Sequence, residues 1–141
     1  PNLGNMEDCL FCKIIEGKIP SAKIYEDDKI ICFLDIMPAN KGHCLVIPKN
    51  HSKDLSDMKD EDAEAAIRAA RKVAKALSLS LGCQGFNLVM SNGVEAGQVV
   101  FHSHIHIVPR FKDDGLKIKW PHTKYKDGEM KEYAEKIKKF L

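Results

Sequence analysis

Three histidines alternate strictly with other residues at the start of the segment 102–108, at His102, His104 and His106, and apolar Ile105 and Ile107 are among the residues between and after them. Side chains of a β-strand point to its two faces in turn, so this pattern predicts a strand with all three imidazoles on one face. The residues between them would pack on the opposite face. Pro109 cannot donate a ladder hydrogen bond and is predicted to end the strand.

Further apolar runs bounded by turn residues predict strands over residues 23–26, 29–34, 42–47 and 86–91, and the histidine strand is predicted over 101–108. Short turns join the first three, which favours an antiparallel meander. Apolar residues at three- and four-residue spacing predict a long amphipathic helix over residues 60–81, ended by Gly82. Short helices are predicted over residues 9–16 and from about Glu129 onward.

These elements predict an α+β fold, in which a five-stranded antiparallel sheet packs against one long helix, with short N- and C-terminal helices. We expect a single domain over residues 7–141. Residues 1–5 precede Met6 and are expected to be a cloning remnant outside that domain.

Composition limits the possible partners. Of the 141 residues, 44% are hydrophobic and 30% are charged, and the formal charge is +2. So small a charge gives no reason to expect nucleic acid or an anionic membrane as a partner. We recognise no signal peptide and no apolar run of membrane-spanning length. The odd number of five cysteines fits a reducing compartment, so we expect a cytoplasmic protein.

Cys9 and Cys12 form a C-x-x-C pair that leaves three interpretations open. The pair is half of a zinc site, a redox pair, or two unpaired thiols. The other cysteines lie in or beside apolar segments and are expected in the core: Cys32, Cys44 and Cys83.

A face with three imidazoles also has two functional interpretations. Neutral imidazole is a common metal ligand, and it is a nucleophile near neutral pH. The preceding loop, residues 92–100, contains Gly93 and Gly97. Its backbone N–H groups, placed beside imidazoles, would suit phosphate oxygens. The loop therefore favours phosphate chemistry with a histidine nucleophile.

Gly97-Gln98, the alternating histidines and Pro109-Arg110 resemble the histidine-triad (HIT) superfamily. Upstream segments that resemble its Hint-like branch are residues 19–23, 25–28, 33–36, 42–43 and 45–49. The resemblance extends from Leu10 to about Arg110. It implies a homodimer in which the two sheets join into a ten-stranded sheet through the fourth strands and the long helices.

The resemblance also implies a reaction. His104 would attack the α-phosphorus of a purine nucleotide and form a nucleotidyl-histidine, from which water releases the nucleoside monophosphate. His106 would contact the phosphate or the leaving group, and His102 and His43 would orient the nucleophile. The expected activity is hydrolysis or transfer of nucleoside monophosphates that carry a leaving group, with phosphoramidates foremost. Alternatives are a dinucleoside polyphosphate hydrolase, a regulatory nucleotide-binding protein with weak catalysis, and a metal-dependent enzyme that uses the three histidines.

The substrate site implied by the resemblance has three parts. Asp35 matches the position that binds the ribose hydroxyls, although an acid there is also typical of a turn after a strand. The apolar walls around the base would be Phe11, Ile14, Phe33 and Ile36. The phosphate loop would contribute Asn92, Gly97, Gln98, Val99 and Val100. Val99 departs from the family, which usually carries Ser or Thr there, and so lacks a hydroxyl beside the scissile bond.

In bacterial-type relatives, a similar C-x-x-C pair binds structural zinc together with two histidines. The resemblance therefore implies a closed Cys₂His₂ site formed by Cys9, Cys12, His51 and His102, and no catalytic metal. His102 would then be committed to zinc and take no direct part in proton transfer.

Overall fold

The computed structural model describes residues 6–141, and within them five strands form one antiparallel sheet in the order β1-β2-β3-β5-β4. The strands are β1 Lys23–Glu26, β2 Ile30–Leu34, β3 Cys44–Pro48, β4 Gly85–Val89 and β5 Ile105–Arg110. The helices are α1 Leu10–Ile15, α2 Asp60–Leu81 and α3 Glu129–Lys138. The predicted α+β fold and the meander of the first three strands are confirmed. The expected cloning remnant, residues 1–5, lies outside the described residues.

The long helix α2 covers one face of the sheet. Alternate residues of the central strands, among them Ile30, Val46 and Ile107, pack there against a stripe of small α2 residues such as Ala70. Alanine side chains allow the helix to lie close to the strands. The cysteines predicted to be structural belong to this same core: Cys32, Cys44 and Cys83.

The opposite face of the same strands packs against α1. The alternate side chains of β2 and β3, including Phe33 and Leu45, form a second core with Phe11. Cys9 lies at the N-terminus of α1, where its Sγ accepts a hydrogen bond from the backbone N–H of Cys12. The face that carries α1 is therefore also the face on which the C-x-x-C pair lies.

Two boundary predictions for the histidine strand are wrong. The strand begins at Ile105, so His102 and His104 lie in the segment that precedes it. Ser103 donates its N–H to the carbonyl of Ser52, and not to a neighbouring strand. Pro109 does not end β5 but lies inside it, opposite Phe86. A proline removes only its own N–H from the ladder, and the carbonyl of Pro109 still accepts a hydrogen bond, from Asn40 Nδ2 at 2.9 Å.

Within residues 6–141, no helix combines the length and the apolar character needed to cross a membrane.

Candidate active site and metal centre

A cleft of about 700 Å³ opens on the face of the sheet that carries α1. This volume is in the range of small-molecule sites, roughly 300–1,000 Å³. Eleven of the predicted site residues line it: Phe11, Ile14, Phe33, Asp35, Ile36, Gly97, Gln98, Val99, Val100, His104 and His106. Leu10 also lines it and was not predicted. Leu10 and Ile14 are four residues apart on α1 and therefore lie on one face of the helix. This spacing in the sequence could have indicated that Leu10 lines the cleft together with Ile14.

The His104 imidazole is held in one tautomer. Its Nδ1 lies 2.7 Å from the backbone carbonyl oxygen of His102. Because a carbonyl only accepts hydrogen bonds, Nδ1 carries the proton and Nε2 keeps its lone pair. The ring of Phe11 packs edge-on at 5.0 Å between centroids. Burial lowers the pKa of His104 below its usual value, which keeps the imidazole neutral.

A chain of hydrogen bonds places the proton of His106 on Nε2, whereas that of His104 is on Nδ1. The backbone N–H of Ala39 donates to Nδ1 of His43 at 3.0 Å, so the proton of His43 is on Nε2. This Nε2–H donates to Nδ1 of His106 at 2.8 Å. The remaining proton of neutral His106 is therefore on Nε2 as a donor. Burial, together with His104 and His43, lowers the pKa of His106 to about 4. The site thus combines one imidazole lone pair with one imidazole N–H.

Asp35 lies beside this chain. Its Oδ1 accepts the backbone N–H of Met37 at 2.8 Å, and its Oδ2 lies 3.6 Å from Nε2 of His43. By distance alone, Asp35, His43 and His106 form a group that could hold a metal ion. The hydrogen bond from Ala39 opposes this, because it keeps the proton on the His43 nitrogen that would have to bind the ion. The geometry therefore fits a hydrogen-bonded chain and does not fit a metal site.

Cys9, Cys12, His51 and His102 form a second group whose geometry does fit a metal ion. The distances are 3.3 Å from Cys9 Sγ to His102 Nδ1, 3.4 Å from Cys12 Sγ to His51 Nδ1, and 3.2 Å between the two Nδ1 atoms. Zn–S bonds of about 2.3 Å and Zn–N bonds of about 2.0–2.1 Å give tetrahedral edges of roughly 3.3–3.8 Å. The three measured distances are close to these edges, and all four ligand atoms lie within 4.8 Å of one another.

The chemistry of these donors agrees with that spacing. Nε2 of His102 donates to the carbonyl of Pro48 at 2.7 Å, which leaves the lone pair on Nδ1, toward the cysteines. Burial and the neighbouring Cys9 raise the pKa of the Cys12 thiol to about 12. A divalent cation would reverse this effect, because it stabilises thiolates directly.

Gln98 and Asn92 were expected to contribute to the phosphate loop, but their side chains hydrogen-bond to the protein backbone. The Gln98 amide donates to the carbonyls of Lys53 and Val100, and its oxygen accepts the N–H of Gly93. The Asn92 oxygen accepts the N–H of Leu55 at 2.7 Å. Gln98 therefore holds the loop around the cleft in shape through its own side chain. Asn92 is absent from the residues that line the cleft, as are His43 and His102.

The chain is similar to known proteins over most of its length. The HIT domain family matches residues 16–113. The adenosine 5′-monophosphoramidase of Schizosaccharomyces pombe is 38% identical over 130 residues, which cover 92% of this chain and 95% of that protein.

Two solved structures extend the likeness. A member of the HIT family from Bacillus subtilis matches with a TM-score of 0.89 and 42% identity, over 95% of this chain and 97% of that one. A zinc-bound histidine triad family protein from Mycobacterium smegmatis matches with a TM-score of 0.77 and 38% identity, over 82% and 84% of the two chains.

Proposed function

This chain belongs to the HIT domain family, and on that basis we propose that it hydrolyses or transfers purine nucleoside monophosphates that carry a leaving group, with phosphoramidates as the main class. One observation carries the proposal: the lone pair of His104 Nε2 and the N–H of His106 belong to neighbouring rings, 4.9 Å apart between centroids, that both line one cleft. A nucleophile beside a hydrogen-bond donor is the arrangement that group transfer at phosphorus requires.

In the first step, Nε2 of His104 attacks the α-phosphorus, and the bond from phosphorus to the leaving nitrogen breaks. The nitrogen leaves as a neutral amine after taking a proton from the solvent, while the Nε2–H of His106 donates a hydrogen bond to the reacting group. Because Nδ1 keeps its proton, the nucleotidyl-histidine carries a positive charge on its ring. The carbonyl of His102, 2.7 Å from Nδ1, stabilises that charge. Water then attacks phosphorus and the bond from phosphorus to Nε2 breaks, which releases the nucleoside monophosphate and restores neutral His104. The proton lost by this water returns to the solvent and replaces the one taken by the amine.

The charges around the cleft favour phosphoramidates over dinucleoside polyphosphates. Among the described residues that line the cleft there is no lysine or arginine, and Asp35 is acidic. A polyphosphate leaving group would bring several negative charges to a site without a cationic side chain. An amine leaving group brings none. Neutral imidazoles and backbone groups are sufficient for a single phosphate.

A turnover panel tests this proposal. It compares adenosine phosphoramidate, a lysine-linked AMP and a diadenosine polyphosphate under one set of conditions. We expect the highest kcat/KM with the two P–N substrates. Faster cleavage of the polyphosphate would favour the alternative hydrolase, and tight AMP binding without turnover would favour a regulatory nucleotide-binding protein. Base preference follows from repeating the panel with guanosine and cytidine analogues.

We also propose that Cys9, Cys12, His51 and His102 bind one structural zinc ion. The close spacing of their donor atoms, all within 4.8 Å of one another, and the zinc-bound relative support this assignment. All four positions of such a site are taken by protein ligands, so the ion would stabilise the fold around α1 and would not bind substrate.

We propose a homodimer whose interface is formed by the exposed residues of β4 and α2. The strand β4 is at the edge of the sheet, and its side chains Phe86 and Leu88 are exposed, as is Ile67 on α2. Exposed edges with apolar side chains are typical of surfaces that pair with another chain. Sedimentation velocity should give the mass of a dimer, and Leu88→Lys should shift it to the monomer. A monomeric parent protein would refute the dimer.

A further inference from the structure

Two His-Ser pairs, 51 positions apart in the sequence, meet at the Cys/His cluster. His51 and His102 face each other within the cluster. The residues that follow them, Ser52 and Ser103, are also in contact, with 2.7 Å between their hydroxyl oxygens. Both serines are buried, with 6% and 1% of their surface exposed. Neither serine has a role in the proposed reaction or in the proposed metal site.

The hydrogens of the two serines can be assigned. The N–H and the hydroxyl of Ser103 both donate to the carbonyl of Ser52, at 2.8 and 3.1 Å. A hydroxyl has only one hydrogen, so in the contact between the two hydroxyls Ser52 is the donor and Ser103 the acceptor. Three hydrogen bonds therefore join these two residues, and each of them uses a different hydrogen.

The peptide group between His102 and Ser103 links this contact to the nucleophile. Its N–H is the one that donates to Ser52, and its carbonyl is the one that accepts the proton of His104 Nδ1 at 2.7 Å. The peptide group is planar, so fixing its N–H also fixes the direction of its carbonyl. Hydrogen bonds in such a chain polarise one another, and the bond to Ser52 makes the His102 carbonyl a better acceptor.

We propose that Ser52 is a positioning residue for the His104 nucleophile. Its contact with Ser103 holds the peptide group whose carbonyl keeps the proton of His104 on Nδ1, and thereby keeps the lone pair on Nε2. The contribution to catalysis rests on the proposed function, whereas the effect on the tautomer is a property of the free protein.

Ser52→Ala tests this with little disturbance, because it removes one hydroxyl and leaves no buried donor without a partner. We expect kcat to fall roughly three- to tenfold, as for the loss of one hydrogen bond, with KM unchanged. In ¹H–¹⁵N spectra of the free protein at about pH 8, where imidazole is neutral, His104 should shift measurably toward the Nε2–H tautomer. Ser52→Thr, which keeps the hydroxyl, should restore both values.

Ser78→Ala is the matched control. Ser78 lies on α2, where its hydroxyl is 3.7 Å from Cys83 Sγ, outside the cleft and the cluster. The Ser78→Ala variant should lose about as much free energy of unfolding as Ser52→Ala, without any change in the His104 tautomer. Ser103→Ala removes both hydroxyl contacts and retains the backbone bond, so it gives the same comparison if Ser52→Ala does not fold.

An unchanged His104 tautomer and kcat in a folded Ser52→Ala protein would overturn the proposal. So would loss of the bound metal in that variant, measured by atomic emission, because Ser52 would then support the cluster and not the nucleophile. Failure of the parent protein to label His104 with any nucleotide would refute the proposed function instead. In that case, the tautomer comparison would still decide the role of Ser52.

Discussion

Nε2 of His43 donates a hydrogen bond to Nδ1 of His106 across 2.8 Å, between residues 63 positions apart in the sequence. His43 lies just before β3 and His106 lies on β5, and these two strands pair in the sheet. The sheet therefore brings together two imidazoles that are both neutral near pH 7, since burial lowers the pKa of each. This pair makes stability depend on pH.

The sign follows from the pKa of His106, which is about 4 in the folded protein and ordinarily 6.5. Between these values the unfolded chain binds a proton that the folded protein does not. The stabilisation is complete above about pH 6.5 and is lost as the pH falls toward 4, by an amount on the order of 3 kcal/mol. Urea unfolding across this range should show the loss. His106→Asn should show a shallower dependence; an identical slope would contradict the assignment.

His104→Ala should abolish turnover, because no other lone pair is held beside the phosphorus in the proposed mechanism. AMP binding should persist, since the cleft walls around Phe33 remain. Calorimetry measures the binding, and mass spectrometry of a rapidly quenched parent reaction should place the nucleotidyl adduct on His104. An adduct on another residue, or an active His104→Ala enzyme, would refute the mechanism.

Protein purified without added zinc should contain one zinc ion per chain, and Cys9→Ser should lose it. The thermal midpoint should fall clearly in that variant, because loss of a structural metal is among the large causes of destabilisation. Cys83→Ser, a change at a buried cysteine outside the cluster, is the control and should keep the metal. If brief chelation stops turnover of a still-folded enzyme and a divalent metal restores it, a catalytic metal is present instead.

Asp35→Asn should raise KM for ribonucleotides several-fold with a smaller effect on kcat. The Oδ1 atom of Asp35 is used by the N–H of Met37, so Oδ2 is the oxygen that would accept from the ribose hydroxyls. A hydrogen bond to a charged acceptor is worth about 1.5–3 kcal/mol and one to a neutral acceptor about 0.5–1.5 kcal/mol. Because Asn keeps an oxygen acceptor, only the difference between the two is lost. The 2′-deoxy substrate is the control, because its KM should rise less on substitution. Equal increases for the two substrates would refute ribose binding by Asp35.

Val99→Thr should raise kcat for phosphoramidates. Val99 lines the cleft and is 84% exposed, so the change should leave stability unaltered. The added hydroxyl could help the leaving nitrogen to gain its proton, an effect of about 1 kcal/mol, or several-fold in rate. An aryl phosphate ester, whose leaving group needs no proton, should change little. Equal effects on both substrates, or none, would show that Val99 has no influence on the leaving group.

The sequence alone was sufficient for the parts of the structure that depend on local pattern. The apolar spacing of α2 and the runs of β2 and β3 predicted these elements within about two residues, because each periodicity matches one backbone geometry. Asp35 and the triad histidines were assigned by resemblance to a family, and they do line one cleft or contact its residues. These motifs are short and contiguous, so a single sequence displays them.

Only the tertiary structure decided how the residues of the site share their hydrogens. Ala39 determines which nitrogen of His43 carries the proton, and the carbonyl of His102 does the same for His104. Ser103 lies outside β5 because its N–H donates to the carbonyl of Ser52 and not to a neighbouring strand. Pro109 lies inside β5 because the residues on both sides of it pair with β4. Ser52 and the strand that pairs with Pro109 are far away in the sequence, so residue periodicity contains no information about them. Ala39 and His102 are close in the sequence to the histidines that they orient, but their contacts depend on a loop conformation that periodicity does not specify.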